Sequence, residues 1–180
     1  DRIERLAEDI LQPYRYAEIN RTALLRIVLA ALEEDIYSRA FDWRKLVRHR
    51  RDELRNILDT CEVSLNLSLE FLKNRMGASS QKGLPYALQL VLLNEFYRYN
   101  PMPPKEAEDL MERWLWVTSF SGAFMVGSSA KFNDAVKASR RLATTGRLDG
   151  IDLGSHALPL PLNFHANAAR VRAFFLFMKS

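Results

Sequence analysis

The 180-residue sequence predicts a mostly α-helical protein, an irregular multi-helix bundle with one loop-rich connection near residues 146–163. Three observations support that class. Glycine and proline number only 7 each, so long stretches run without a helix breaker. Apolar residues recur at three- and four-residue spacing in several separate stretches. Nowhere does the sequence sustain the apolar–polar alternation of a half-buried strand, and it carries no internal repeat.

The elements follow from these patterns. Leu24, Leu25, Val28, Leu32 and Ile36 predict a helix over 21–39, with Pro13 breaking whatever precedes it. Leu46, Leu54, Ile57, Leu58, Leu65, Leu69 and Leu72 predict a long helix over 42–76, closed by Gly77 and followed by a loop to Gly83. A third helix is predicted over 84–99, with Pro85 in its first turn and Leu84, Leu88, Val91, Leu92 and Phe96 as its apolar stripe. Residues 99–104, rich in proline, form a stiff linker. Residues 105–120 follow as a helix, with Glu106, Glu108 and Asp109 near the positive end of its dipole. Another is predicted over roughly 129–145, and a last one begins near His165. The chain thus reads as one helical domain: an N-terminal helical segment over 1–40, a core over 41–145, and a loop with a terminal helix over 146–180.

The net charge of +4 and pI near 9.3 permit contact with nucleic acid without requiring it. A single cysteine, Cys61, excludes an internal disulfide and fits a reducing, cytoplasmic setting. No apolar run is long enough to span a membrane, and a signal peptide is not expected. The sequence starts without Met and stops in the aromatic run FFLFM at 174–178, so it is expected to be a piece of a longer protein.

Several motifs invite chemistry. GAFMVGSS at 122–129 stands one residue away from the phosphate loop G-x-x-x-x-G-K-[ST], with Ser128 in place of the lysine. A phosphate loop joins a strand to a helix, whereas the residues before Gly122 read as a helix. The favoured reading is a helix–loop–helix corner in which Gly122 and Gly127 relieve backbone strain and Ser128 or Ser129 caps the next helix. A capped helix start that also takes a nucleic-acid phosphate, helped by Lys131, stays open. Arg44, Arg48, Arg51 and Arg55 share one helix face and could track phosphates, or could form a solvated face paired with Asp52 and Glu53. Lys131, Lys137, Arg140, Arg141 and Arg147 make a second basic cluster that reads either as a nucleic-acid footprint or as solvated surface. Trp114 lies on an apolar stripe and reads as core, while Trp116 points away from it toward another element. Cys61, His49, His156 and His165 lack the spacing of a zinc site, and no metal site is expected.

Three segments carry a family resemblance: LPYALQLVLL at 84–93, RWLWVTSFSG at 113–122 and GSSAKFND at 127–134, the last followed by a basic helix. Together they make residues 41–142 resemble the helical middle of the GmrSD-type restriction endonuclease N-terminal-domain family. The resemblance implies a bacterial or archaeal phage-defence protein acting on modified or foreign DNA. It implies a ParB-like N-terminal domain that handles nucleotide and Mg²⁺, and often a C-terminal HNH-type nuclease domain. Neither the Gln-Gln-Arg motif of the first nor the histidine constellation of the second occurs here, so no catalytic or cofactor-binding residue can be carried over. The chain is therefore expected to be a non-catalytic helical scaffold with a DNA contact, its partners DNA, the missing domains or another copy of itself. Two alternatives stay open. Arg44-x-x-x-x-His49 resembles the active-site motif of HEPN ribonucleases, which dimerise around it. A structural domain that binds another protein through Trp116 and the 174–178 aromatics is the other.

Overall fold

In a computed structural model of the chain, the described residues are 10–16, 21–38, 42, 44, 47–48, 51–124, 128–148 and 169–178. Among them the protein is all-helical: α1 (Arg21–Ala31), α2 (Arg51–Met76), α3 (Leu88–Tyr99), α4 (Lys105–Ser121), α5 (Ser129–Thr145) and α6 (Ala169–Phe177), with a short 3-10 turn at Gln81–Gly83. No strand occurs among the described residues, as the sequence predicts. Of the expected connection over 146–163, residues 149–163 lie outside the described residues, as does the helix start near His165.

The third helix is the axis of the bundle. Its sequence LQLVLLNEFYRY is apolar around most of its circumference, the pattern of a helix enclosed on all sides, and every residue from Leu88 to Tyr97 is buried. α1, α2 and α5 pack directly on it, while α6 packs on α4 and on the Gln81–Gly83 turn.

Two helix ends differ from the sequence reading. α1 stops at Ala31 rather than continuing to residue 39, because Glu33 takes the left-handed conformation with φ 62°. The Glu33 amide donates to the Ala30 carbonyl and the Glu34 amide to the Leu29 carbonyl, which closes the helix in a Schellman motif. α3 begins at Leu88 rather than at residue 84. Leu84 precedes a proline and is extended (φ −72°, ψ 120°), as the proline ring demands of its neighbour. α5 over Ser129–Thr145 and α4 over Lys105–Ser121 agree closely with expectation. Of the helix predicted over 42–76, α2 covers Arg51–Met76; residues 44, 47 and 48 are also helical, and 43, 45–46 and 49–50 lie outside the described residues.

Polar side chains buried in α3 tie it to its neighbours. Gln89 Nε2 donates to the Leu115 carbonyl (3.1 Å) and to Ser119 Oγ (2.6 Å), both on α4. Asn94 Nδ2 donates to Ser64 Oγ (2.9 Å) and to the Cys61 carbonyl (3.3 Å), both on α2. Ser139 of α5 donates to the Leu92 carbonyl. Each bond contributes only about 1 kcal/mol net, but losing one partner strands a buried polar group at up to about 3 kcal/mol. The pairing therefore fixes how each helix is rotated against α3.

A second polar cluster joins the end of α2 to the start of α4. Arg75 pairs with Glu108 (3.0 Å), Glu112 (2.8 Å) and Asp109. Tyr97 Oη donates to Glu108 (2.7 Å), so the same carboxylate also reaches α3. The hydrogen bond from Arg75 holds the Asp109 carboxyl below the usual range.

Cys61 lies buried between α2 and α3, and burial, reinforced by the Glu95 charge, pushes its thiol up to about 12. Its protonated form stabilises the fold below the thiol's ordinary value near 9, and that contribution is lost as pH rises through about 12. At pH ~8, reaction with a disulfide reagent should run at least about a hundredfold slower in the native protein than in denaturant. Equal rates would show that the thiol is not enclosed.

Candidate nucleic-acid interface

The basic residues singled out on α5 divide into three groups once the helix is in place. One turn of helix takes about 3.6 residues, so Lys137 and Arg141, four apart, share a side. That side faces solvent, whereas Phe132, Ala135, Val136, Ser139, Leu142 and Ala143 face the core. Lys137 meets Asp134 at 3.6 Å in a highly exposed pair. Such a pair contributes little and is easily exchanged for another anion. Arg141 is exposed, and so is Arg147, which follows the helix.

Arg140 turns the other way. Its Nε lies 2.7 Å from Glu95 Oε2, and its Nη2 donates to the Ala30 carbonyl at 2.6 Å. Nη1 stands 3.7 Å from Glu33, and the guanidinium lies over the Tyr99 ring at 5.4 Å. The Glu95 side chain is fully buried, and Arg98 grips it through Nε (2.7 Å) and Nη2 (2.9 Å). Burial works against the charge of Arg98, but the hydrogen bond and charge of Glu95 outweigh it and hold the guanidinium more firmly protonated. Tyr99 completes the group by donating to Glu33 at 3.0 Å while Arg98 stacks over its ring at 4.8 Å. Arg140 therefore serves a buried carboxylate and the end of α1, rather than extending the outward basic face.

The third group sits at the start of α5. Ser128 is the N-cap, and its side chain accepts from the Lys131 amide at 3.3 Å. Ser129 is the first helical residue and is exposed. Lys131 Nζ donates to the Ala123 carbonyl at 2.9 Å, bracing the corner between α4 and α5. Gly122 ends α4 in the left-handed region with φ +70°, and the Ala123 amide reaches back to the Thr118 carbonyl. The segment that mimics a phosphate loop is thus preceded by a helix and capped as a helix–loop–helix corner; Gly127 lies outside the described residues.

Arg44 and Arg48 are exposed, as are Arg51 and Arg55 at the start of α2. Lys45 and His49 lie outside the described residues, as do His156 and His165. Trp114 is buried in the core, as its stripe position predicts. Trp116 is half-buried and packs against Phe120 (6.2 Å between centroids) and against Phe177 of α6 (5.7 Å). Among the described residues, no group of three or more His, Cys, Asp or Glu side chains is placed to hold a metal ion. No helix among them is long and apolar enough to cross a membrane.

Sequence reasoning missed the role of Glu95. The signal was present: a carboxylate in an otherwise apolar stretch, with an arginine three residues on. No protein-family model matches the chain, and no curated protein or solved structure does so either.

The division of the cluster has a direct consequence. Arg140→Ala should destabilise the protein by about 3–5 kcal/mol, because it leaves a buried carboxylate short of a partner. Lys137→Ala and Arg141→Ala should each change stability by less than about 0.5 kcal/mol. Urea unfolding of the three variants checks this, and an Arg140→Ala protein as stable as wild type would contradict the inward placement.

Proposed function

We propose that the chain is a non-catalytic helical scaffold that touches DNA through its outward basic faces, within a phage-defence restriction protein of the kind its three segments resemble. The observation that supports it best is the division of α5: Arg140 is committed to the interior, while Lys137 and Arg141 are presented together at the surface. Arg44, Arg48, Arg51 and Arg55 add a second exposed basic run. Contacts of this kind read the charge of the phosphate backbone rather than base sequence. The restriction setting and a cytoplasmic location rest on the resemblance and on cysteine usage.

A second reading is favoured by the aromatic face at α4 and α6. Phe177 (56%) packs against Trp116, and Phe175 (52%) and Met178 (68%) on the same segment are also exposed, the composition of a protein contact.

In fluorescence anisotropy with a labelled duplex, binding should be weak and should fall steeply with salt. Lys137→Ala with Arg141→Ala should lower the slope of log K against log salt by about 2, since each phosphate contact accounts for about 0.9. An unchanged slope and affinity would remove α5 from the interface, and the same test on the arginines at 44, 48, 51 and 55 decides the second face.

A further inference from the structure

A cleft of about 460 Å³ opens between the turn after α2 and the helix α6, at a distance in sequence from both basic faces. Gly77, Ser79, Ser80, Lys82 and Gly83 line one side, and Arg172, Phe175 and Leu176 line the other. Its size falls within the range of small-ligand sites, about 300–1,000 Å³.

Its described lining carries charge of one sign. The described lining contributes two cations, two hydroxyls and no carboxylate. A concave surface lined by charge of one sign focuses the field and concentrates the opposite charge. The Arg172 guanidinium reaches from α6 to the turn, where its Nη1 donates to the Leu84 carbonyl at 3.4 Å. Arginine and lysine with neighbouring serine hydroxyls supply the donors that phosphate oxygens accept from. Beside Arg172 the α6 side carries two apolar residues, Phe175, 52% exposed, and the buried Leu176. The two sides meet closely: a Cβ on Gly83 would stand only 2.9 Å from Leu176 Cδ1, so glycine there lets α6 lie against the turn.

We propose that this cleft binds a terminal phosphate ester carrying a planar organic group, with the phosphate held by Lys82, Arg172 and the serines and the planar group laid on Phe175. The site is independent of the contact of α5 with DNA. A free nucleotide and the 5′-phosphorylated end of a strand offer the same chemistry.

Isothermal titration of the whole chain with AMP, adenosine, ribose 5-phosphate and a short 5′-phosphorylated single strand tests it. AMP or the phosphorylated strand should bind saturably, the tighter of the two identifying the source, and adenosine should not bind. Lys82→Glu should weaken binding at least about tenfold. Phe175→Ala should weaken AMP by about 5- to 100-fold, the range for one stacked base, while leaving ribose 5-phosphate unchanged. Both substituted side chains are at the surface, so the variants should fold as wild type, which circular dichroism checks. Absence of saturable binding by every phosphate ester, or binding indifferent to Lys82→Glu, would overturn the proposal. Retained binding in a protein whose Lys137 and Arg141 are both alanine would separate this cleft from the face on α5.

Discussion

The Glu95 carboxylate sets the terms for the bundle. It is fully buried on the helix against which α1, α2 and α5 pack, and a charge there is tolerable only if it is paired and hydrogen-bonded. Arg98 supplies one guanidinium from the next turn of the same helix, and Arg140 supplies the second from α5. Arg140 then carries the connection onward to the Ala30 carbonyl, where α1 ends. One carboxylate thus relates three helices, and the unusual left-handed Glu33 lies at the far end of the same group. A non-glycine residue in that conformation costs about 1–3 kcal/mol, which the bonds to Tyr99 and Arg140 help to offset.

Packing alone would leave α3 ambiguous, because a helix that is apolar on all sides fits its neighbours in several rotations. The buried polar groups remove that freedom. The Gln89 amide nitrogen points to α4, that of Asn94 to α2 and the Glu95 carboxylate to α5, and each hydrogen bond is made in one rotation of the helix. The outward face of α5 follows from this arrangement. Holding Arg140 inward fixes the helix so that Lys137 and Arg141 look away from the core, and the surface charge is set by an interior bond.

The fold class was legible in the sequence because helical periodicity is local. The stripes through Met111 and Trp114 on α4 and through Phe132, Val136 and Leu142 on α5 are buried as their spacing requires. The cap at Ser128 was also legible, since capping involves residues three apart. The end of α1 was not. Its last turn is broken by a left-handed glutamate, a residue without the signature of glycine, and the contacts that stabilise it come from residues 99 and 140. The fate of Arg140 was hidden for the same reason. In sequence it sits beside Arg141 in a basic run, and only the approach of α3 separates the two. The cleft near Lys82 was beyond sequence reasoning because it forms between segments about ninety residues apart, and neither segment carries a motif.

Glu95 and Arg140 act as a unit that fixes α5 on α3. A double-mutant cycle with Glu95→Gln, Arg140→Met and the combined variant, measured by urea unfolding, tests it most directly. The double variant should be hardly less stable than the worse single variant, a coupling of at least about 2 kcal/mol. Simple addition of the two single effects would mean that the residues stabilise the protein independently, and would contradict it.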